Sequence, residues 1–143
     1  MSDNPFAAYN IEVPKKYAEE IKKFCKTGGG KVTYEFAPFN RQVDLWYFSF
    51  LFAVRKGLEP VAEKETSNIT PATILSGDSY RIDHIQLAFL GTTKSIELLA
   101  NHRKVFDYAL SMANAGFPHV LQLLKDPDDR PLWTILDEIE MTQ

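Results

Sequence analysis

The chain has 143 residues, 45% hydrophobic and 24% charged, which excludes a disordered or fibrous protein and fits about one globular domain. Sixteen basic against nineteen acidic residues give a formal charge of −3, excluding a whole-surface polyanion binder while allowing a local basic patch. A single cysteine excludes an internal disulfide, and with three scattered histidines it excludes a Cys-rich zinc site.

Residues 1–6 lack the basic start and apolar stretch of a signal peptide, so a cytoplasmic location is expected. An amphipathic helix is predicted over 14–26, where Tyr17, Ile21, Phe24 and Cys25 recur at helical spacing and Pro14 suits the first turn. Gly28, Gly29 and Gly30 end it as a joint. Residues 31–36 alternate polar and apolar, with Val32, Tyr34 and Phe36 on one side, and predict a short strand or extended arm. Pro38 and Asn40 end that piece, and the Asn40 side-chain oxygen is the expected cap of the next helix.

That helix is the most apolar run, residues 43–54, with Leu45, Trp46, Phe48, Phe50 and Phe52 closed by Asp44 on one side and Arg55 and Lys56 on the other. A bilayer span takes about 20 apolar residues, so the run is too short to cross and reads as a buried central helix, with no membrane partner. Gly57 is its expected stop, with Pro60 behind it. Residues 59–70 are polar and aperiodic and are expected to be an exposed connection inside one domain spanning 1–143, since either half alone falls below a comfortable core size.

The second half reads as helical. A short turn is expected from Thr70 and Pro71 through Leu75, then a helix carrying Ile82, Ile85 and Phe89 that Gly91, Thr92 and Thr93 interrupt. A brief helix with Ile96, Leu98 and Leu99 ends near Asn101, which caps the next one over 102–114. Gly116 is the expected C-terminal glycine and Pro118 the opener of another short helix. Leu132, Ile135, Leu136 and Ile139 predict a terminal amphipathic helix. The expected fold is therefore mainly α, a compact multi-helix domain around a buried central helix with one short N-terminal strand or arm.

No motif for chemistry is found. His84, His102 and His119 fall on three predicted segments, so the one-turn spacing of a helical metal site is missing; no metal and no cofactor are expected. Cys25 lies on an apolar helix face and reads as a core residue. There is no phosphate-binding loop and no G-x-S-x-G elbow, and acid pairs such as Glu19 and Glu20 or Asp128 and Asp129 read as ordinary surface carboxylates. No catalytic residue is assigned and the protein is read as a non-enzyme.

Charge is unevenly distributed. Residues 15–31 carry Lys15, Lys16, Lys22, Lys23, Lys26 and Lys31 against Glu19 and Glu20, a local +4; residues 126–140 carry −5. The basic stretch beside an aromatic arm can follow a phosphate backbone, or can be an ordinary solvated face in which Glu19 and Lys23 pair at i, i+4. The opposite-signed ends can also pair with each other or with another protein. Ribbon-helix-helix DNA binders share a strand followed by two helices, but their second helix follows a short turn, whereas 59–70 intervene here.

Ile11-Glu12-Val13-Pro14, the Lys/Glu-rich helix, Ala37-Pro38-Phe39, Val43-Asp44 and the aromatic run ending Val54-Arg55-Lys56-Gly57 resemble the small accessory proteins found with prokaryotic DNA phosphorothioation (Dnd) systems. The stretch 106–117, with Asn114 and Gly116, followed by Leu121 to Leu124, is similar to that group's helix ending in an Ala-Asn-Gly-type motif. The resemblance implies a non-catalytic component of a bacterial DNA-modification or anti-phage defence system, docked on larger protein subunits, and supplies no active-site residues. Phe36, Phe39, Asp137 and Glu138 are the expected protein contacts. The alternative is a nucleic-acid-binding protein or small regulator using the 15–31 lysines on DNA or RNA, with a homo-oligomer sharing the 31–36 strand as one form of it.

Overall fold

Trp46, Phe50, Phe106 and Phe117 are fully buried, and the two helices that carry them make the principal packing contact of the fold. The computed structural model describes residues 4–25 and 38–125. In chain order these form strand β1 (Asn10–Pro14), a 3-10 turn (Lys15–Tyr17), α1 (Ala18–Lys23), α2 (Gln42–Lys56), strand β2 (Thr66–Pro71), a 3-10 stretch (Ala72–Asp78), α3 (Ser79–Thr93), a second 3-10 turn (Glu97–Ala100) and α4 (His102–Leu124). The architecture is mainly α, with a single two-stranded ribbon among the described residues. The expected strand over 31–36, the Gly28 to Gly30 joint and the terminal helix around Leu132 lie outside the described residues.

The expected central helix is α2. Val43, Leu45, Trp46, Phe50 and Ala53 are buried. Its cap is Arg41 rather than Asn40: Arg41 has extended backbone angles, its N–H donates to the Asp44 carboxylate at 3.1 Å, and the Asp44 N–H donates back to the Arg41 carbonyl at 3.0 Å. Gly57 ends the helix as expected, at φ 66° in the left-handed region glycine tolerates. Its N–H reaches the Val54 carbonyl at 3.2 Å, and that of Leu58 the Ala53 carbonyl at 2.9 Å.

The helix expected from Pro14 starts later, because residues 10–14 are taken by β1. Ile11 and Val13 point into the core, and β1 pairs antiparallel with β2, Ile11 opposite Thr70 and Val13 opposite Ser67. The segment expected as an exposed connection, 59–70, thus supplies most of a strand from residue 66. Its side chains alternate too weakly in hydropathy to announce it, and its partner lies more than fifty residues away.

Three helix boundaries also differ. Gly91, Thr92 and Thr93 continue α3, which closes at Lys94 in the left-handed conformation with its N–H on the Leu90 carbonyl at 2.8 Å. The helix capped by Asn101, whose Oδ1 accepts from the Lys104 N–H at 3.1 Å, begins as expected but runs on through Gly116 and Pro118 to Leu124. Gly116 is not a stop. A β-carbon there would sit 2.2 Å from the Ser49 carbonyl oxygen, so the glycine lets α4 press directly onto the α2 backbone. Helix packing on α2 keeps Pro118 helical although it lacks the N–H that would bond the Asn114 carbonyl.

Candidate functional site

The basic segment begins where β1 ends. Lys15, Lys16, Lys22 and Lys23 are all exposed on the short turn and α1. Two of the four meet acids: Lys16 Nζ lies 3.7 Å from Glu63, and Lys22 lies 3.8 Å from Glu19, so Glu19 pairs at i, i+3 rather than with Lys23. Lys23 instead sits over the Phe24 ring, 5.5 Å from its centroid. Lys26, Lys31, Phe36, Asp137 and Glu138 lie outside the described residues. Phe39 is half-buried, packs on Phe48 at 5.7 Å between ring centroids, and its N–H reaches the Phe24 carbonyl at 3.4 Å, so it serves the core as well as the surface.

Past Gly57 the chain crosses α4 as an extended strap. The Val61 N–H donates to the Ser111 carbonyl at 3.0 Å, and the Asn114 side-chain amide donates to the Val61 carbonyl at 3.0 Å. A cleft lies on either side of this strap, and Glu63 and Asn114 border both. One, about 290 Å³, is bounded by Lys16, Tyr17, Leu58, Glu59, Pro118 and His119. The other, about 380 Å³, is bounded by Glu12, Lys64, Thr66, Arg103 and Asp107. Asn114 is 8% exposed and its Oδ1 has no hydrogen-bond partner. Neither Asn114 nor Glu59 was singled out from sequence as a binding residue; an asparagine four residues before a proline inside one helix is the signal, hidden because the helix was expected to end between them.

A charged network joins the starts of α2 and α3. Arg41 reaches Asp44 at 2.8 Å and Asp78 at 3.0 Å, and Arg81, 8% exposed, reaches Asp44 at 3.0 Å. The Arg81 guanidinium lies over the Tyr47 ring at 4.4 Å. Burial pushes the Asp44 carboxyl up, but hydrogen bonds and charge from Arg41 and Arg81 outweigh it and hold the group below its usual value. The hydrogen bonds that Arg41 donates to Asp44 and Asp78 raise its own value. Burial pushes the Tyr47 phenol up to about 12 against the pull of Arg81, so it stays protonated at neutral pH and shares a hydrogen bond with His84 Nδ1.

The outer face of α3 is apolar at several points. Tyr80 is 50% exposed, Leu87 64%, and Ile96, just beyond the helix, 77%. Gly91 faces open space on the same helix. The histidines are dispersed: His84 is on α3, while His102 and His119 occupy the first turn and a late turn of the continuous α4. Among the described residues no three His, Cys, Asp or Glu side chains are grouped to hold a metal ion, and no helix is long and apolar enough to cross a membrane.

Asp44, Asn114 and Gly116 have defined places in this fold: Asp44 in the arginine network, Asn114 under the strap and Gly116 at the α2 contact. No family model, no curated protein and no solved structure matches the chain.

Proposed function

We propose that the protein is a non-catalytic accessory subunit of a bacterial DNA-modification or anti-phage defence system, acting in the cytoplasm by contact with a larger protein. The observation that supports the contact reading is the exposure of three large side chains on and just beyond α3, Tyr80, Leu87 and Ile96. The attribution to such a system rests on the resemblance at Val43-Asp44, Gly57, Asn114 and Gly116. Phe39 is a less favourable contact, since its ring is already half-buried on Phe48.

Direct nucleic-acid contact is the second reading, favoured by the exposure of Lys15, Lys16, Lys22 and Lys23 and weakened by the acids beside Lys16 and Lys22. A tagged pull-down from the native cytoplasm, with and without nuclease, separates the two. The expected result is a larger protein partner that survives nuclease and is lost when Leu87→Glu and Ile96→Glu are combined, with helicity unchanged by circular dichroism. Partners that vanish with nuclease, or that the double variant retains, overturn the contact reading. Loss after Lys22→Glu with Lys23→Glu, with affinity falling steeply as salt is added, establishes the second.

A further inference from the structure

We infer that the outer face of α2 is the docking site for residues 126–143 of the same chain, an acidic segment whose apolar side packs on it. Away from the core-facing side of α2, Phe48, Leu51 and Phe52 keep apolar surface in water at i, i+3 and i+4, and Arg55 follows one turn beyond Leu51. Two rings widen this stripe. The half-buried Phe39 lies 5.7 Å from Phe48, and the exposed His119 imidazole of α4 stacks on Phe52 at 5.9 Å, both between ring centroids. The two ends of the stripe are basic. Lys56 Nζ lies 5.7 Å from the Phe52 ring centroid with Arg55 exposed beside it, and at the other end Lys23 sits over Phe24, whose carbonyl accepts the Phe39 N–H. Of the acids at its borders, Asp44, one turn before Phe48, is engaged by Arg41 and Arg81, and Glu59 shares a cleft with His119.

Charge, spacing and reach select the chain beyond Lys125 as the occupant. Residues 126–140 carry −5, opposite in sign to the ends of the stripe. Leu132, Ile135, Leu136 and Ile139 fall at i, i+3, i+4 and i+7, which on a helix is an apolar row about 10 Å long, the same length as α2 offers from Phe48 to Arg55. The described chain stops at Lys125, held 2.6 Å from Glu20 of α1 and six residues, about 9 Å of helix rise, past His119. Residues 126–131 can span about 20 Å when extended, enough to bring Leu132 back to the level of His119 and Phe52. Residues 26–37 also begin and end near the stripe, but carry Lys26 and Lys31 against Glu35, the wrong sign for its basic ends. This docking is separate from the α3 contact proposed above.

Nuclear Overhauser contacts in the isotope-labelled 143-residue chain test it. The expected result is contacts from the methyl groups of Leu132, Ile135, Leu136 and Ile139 to the rings of Phe48 and Phe52. Ile135→Glu combined with Ile139→Glu is expected to abolish them and to move the amide shifts of residues 48–56 and 119, while those of β1, β2 and α3 stay in place. Asp137→Lys combined with Glu138→Lys is expected to lower the docked-to-free ratio, read from the same shifts, about threefold. Contacts to Phe48 and Phe52 from residues 31–36 instead, contacts of the segment with Tyr80 and Leu87 on α3, contacts only between differently labelled copies, or no contacts overturn the inference. So do amide shifts on α2 that neither pair of substitutions moves.

Discussion

Asp44 accepts hydrogen bonds from two arginines and from the Arg41 main chain, and Arg81, its most buried partner, has no other acidic residue within ion-pair distance among the described residues. Removing the acid leaves Arg81 charged, largely buried and uncompensated, which typically costs about 3 kcal/mol. Asp44→Asn is therefore expected to lower stability by about that amount, read as a shift in the urea midpoint. The sign of the pH dependence follows from the lowered carboxyl. Its stabilisation is complete above the unfolded aspartate value of about 3.9 and is lost as pH falls through the folded value. Wild type should lose more stability than Asp44→Asn as pH falls below about 4, and equal losses in the two proteins count against this role. The acid was legible in sequence as the charge closing an apolar helix. Its arginine partner on α3 was not, because nothing local ties residue 44 to residue 81.

At the scale of elements, the two glycines at 91 and 116 invite the same misreading and have opposite roles. Each was expected to break a helix, since glycine is a weak helix former, yet tertiary packing carries both helices through. A methyl at Gly91 meets open space, so Gly91→Ala should stabilise α3 by about 0.8 kcal/mol. A methyl at Gly116 collides with a main-chain oxygen that no rotamer change can move, so Gly116→Ala should cost about 3 kcal/mol or more. Thermal unfolding of the two variants checks both signs at once. A neutral Gly116→Ala is incompatible with the α2–α4 contact described above. The central helix, its glycine stop and the Asn101 cap were readable because their signals are local: apolar density, a left-handed terminus and a side-chain acceptor three residues before its donor. The ribbon was not, because β2 is polar and only its pairing with Ile11 and Val13 makes it a strand.

Across the whole molecule, buried side chains from β1, α1, α2, α3 and α4 join one hydrophobic core, in which Phe6 near the start meets Phe106 at 5.3 Å between ring centroids. Cys25 belongs to that core as expected, although the helix expected through residue 26 ends at Lys23 and Cys25 bridges to Phe39 beyond it; burial, and to a lesser degree Asp44, push its thiol up to about 12. The thiol should therefore resist aromatic disulfide reagents at pH 8 and react only as the fold opens, with the labelling midpoint in urea matching the loss of helicity. Rapid labelling in native buffer contradicts this. The mainly helical class, the central apolar helix and the uneven distribution of charge are readable from composition and short-range periodicity, because those signals act within a few turns of chain. The ribbon, the unbroken α4, the arginine network and the cleft beneath the strap emerge once the chain is folded. Each of these depends on groups tens of residues apart, brought together by core packing.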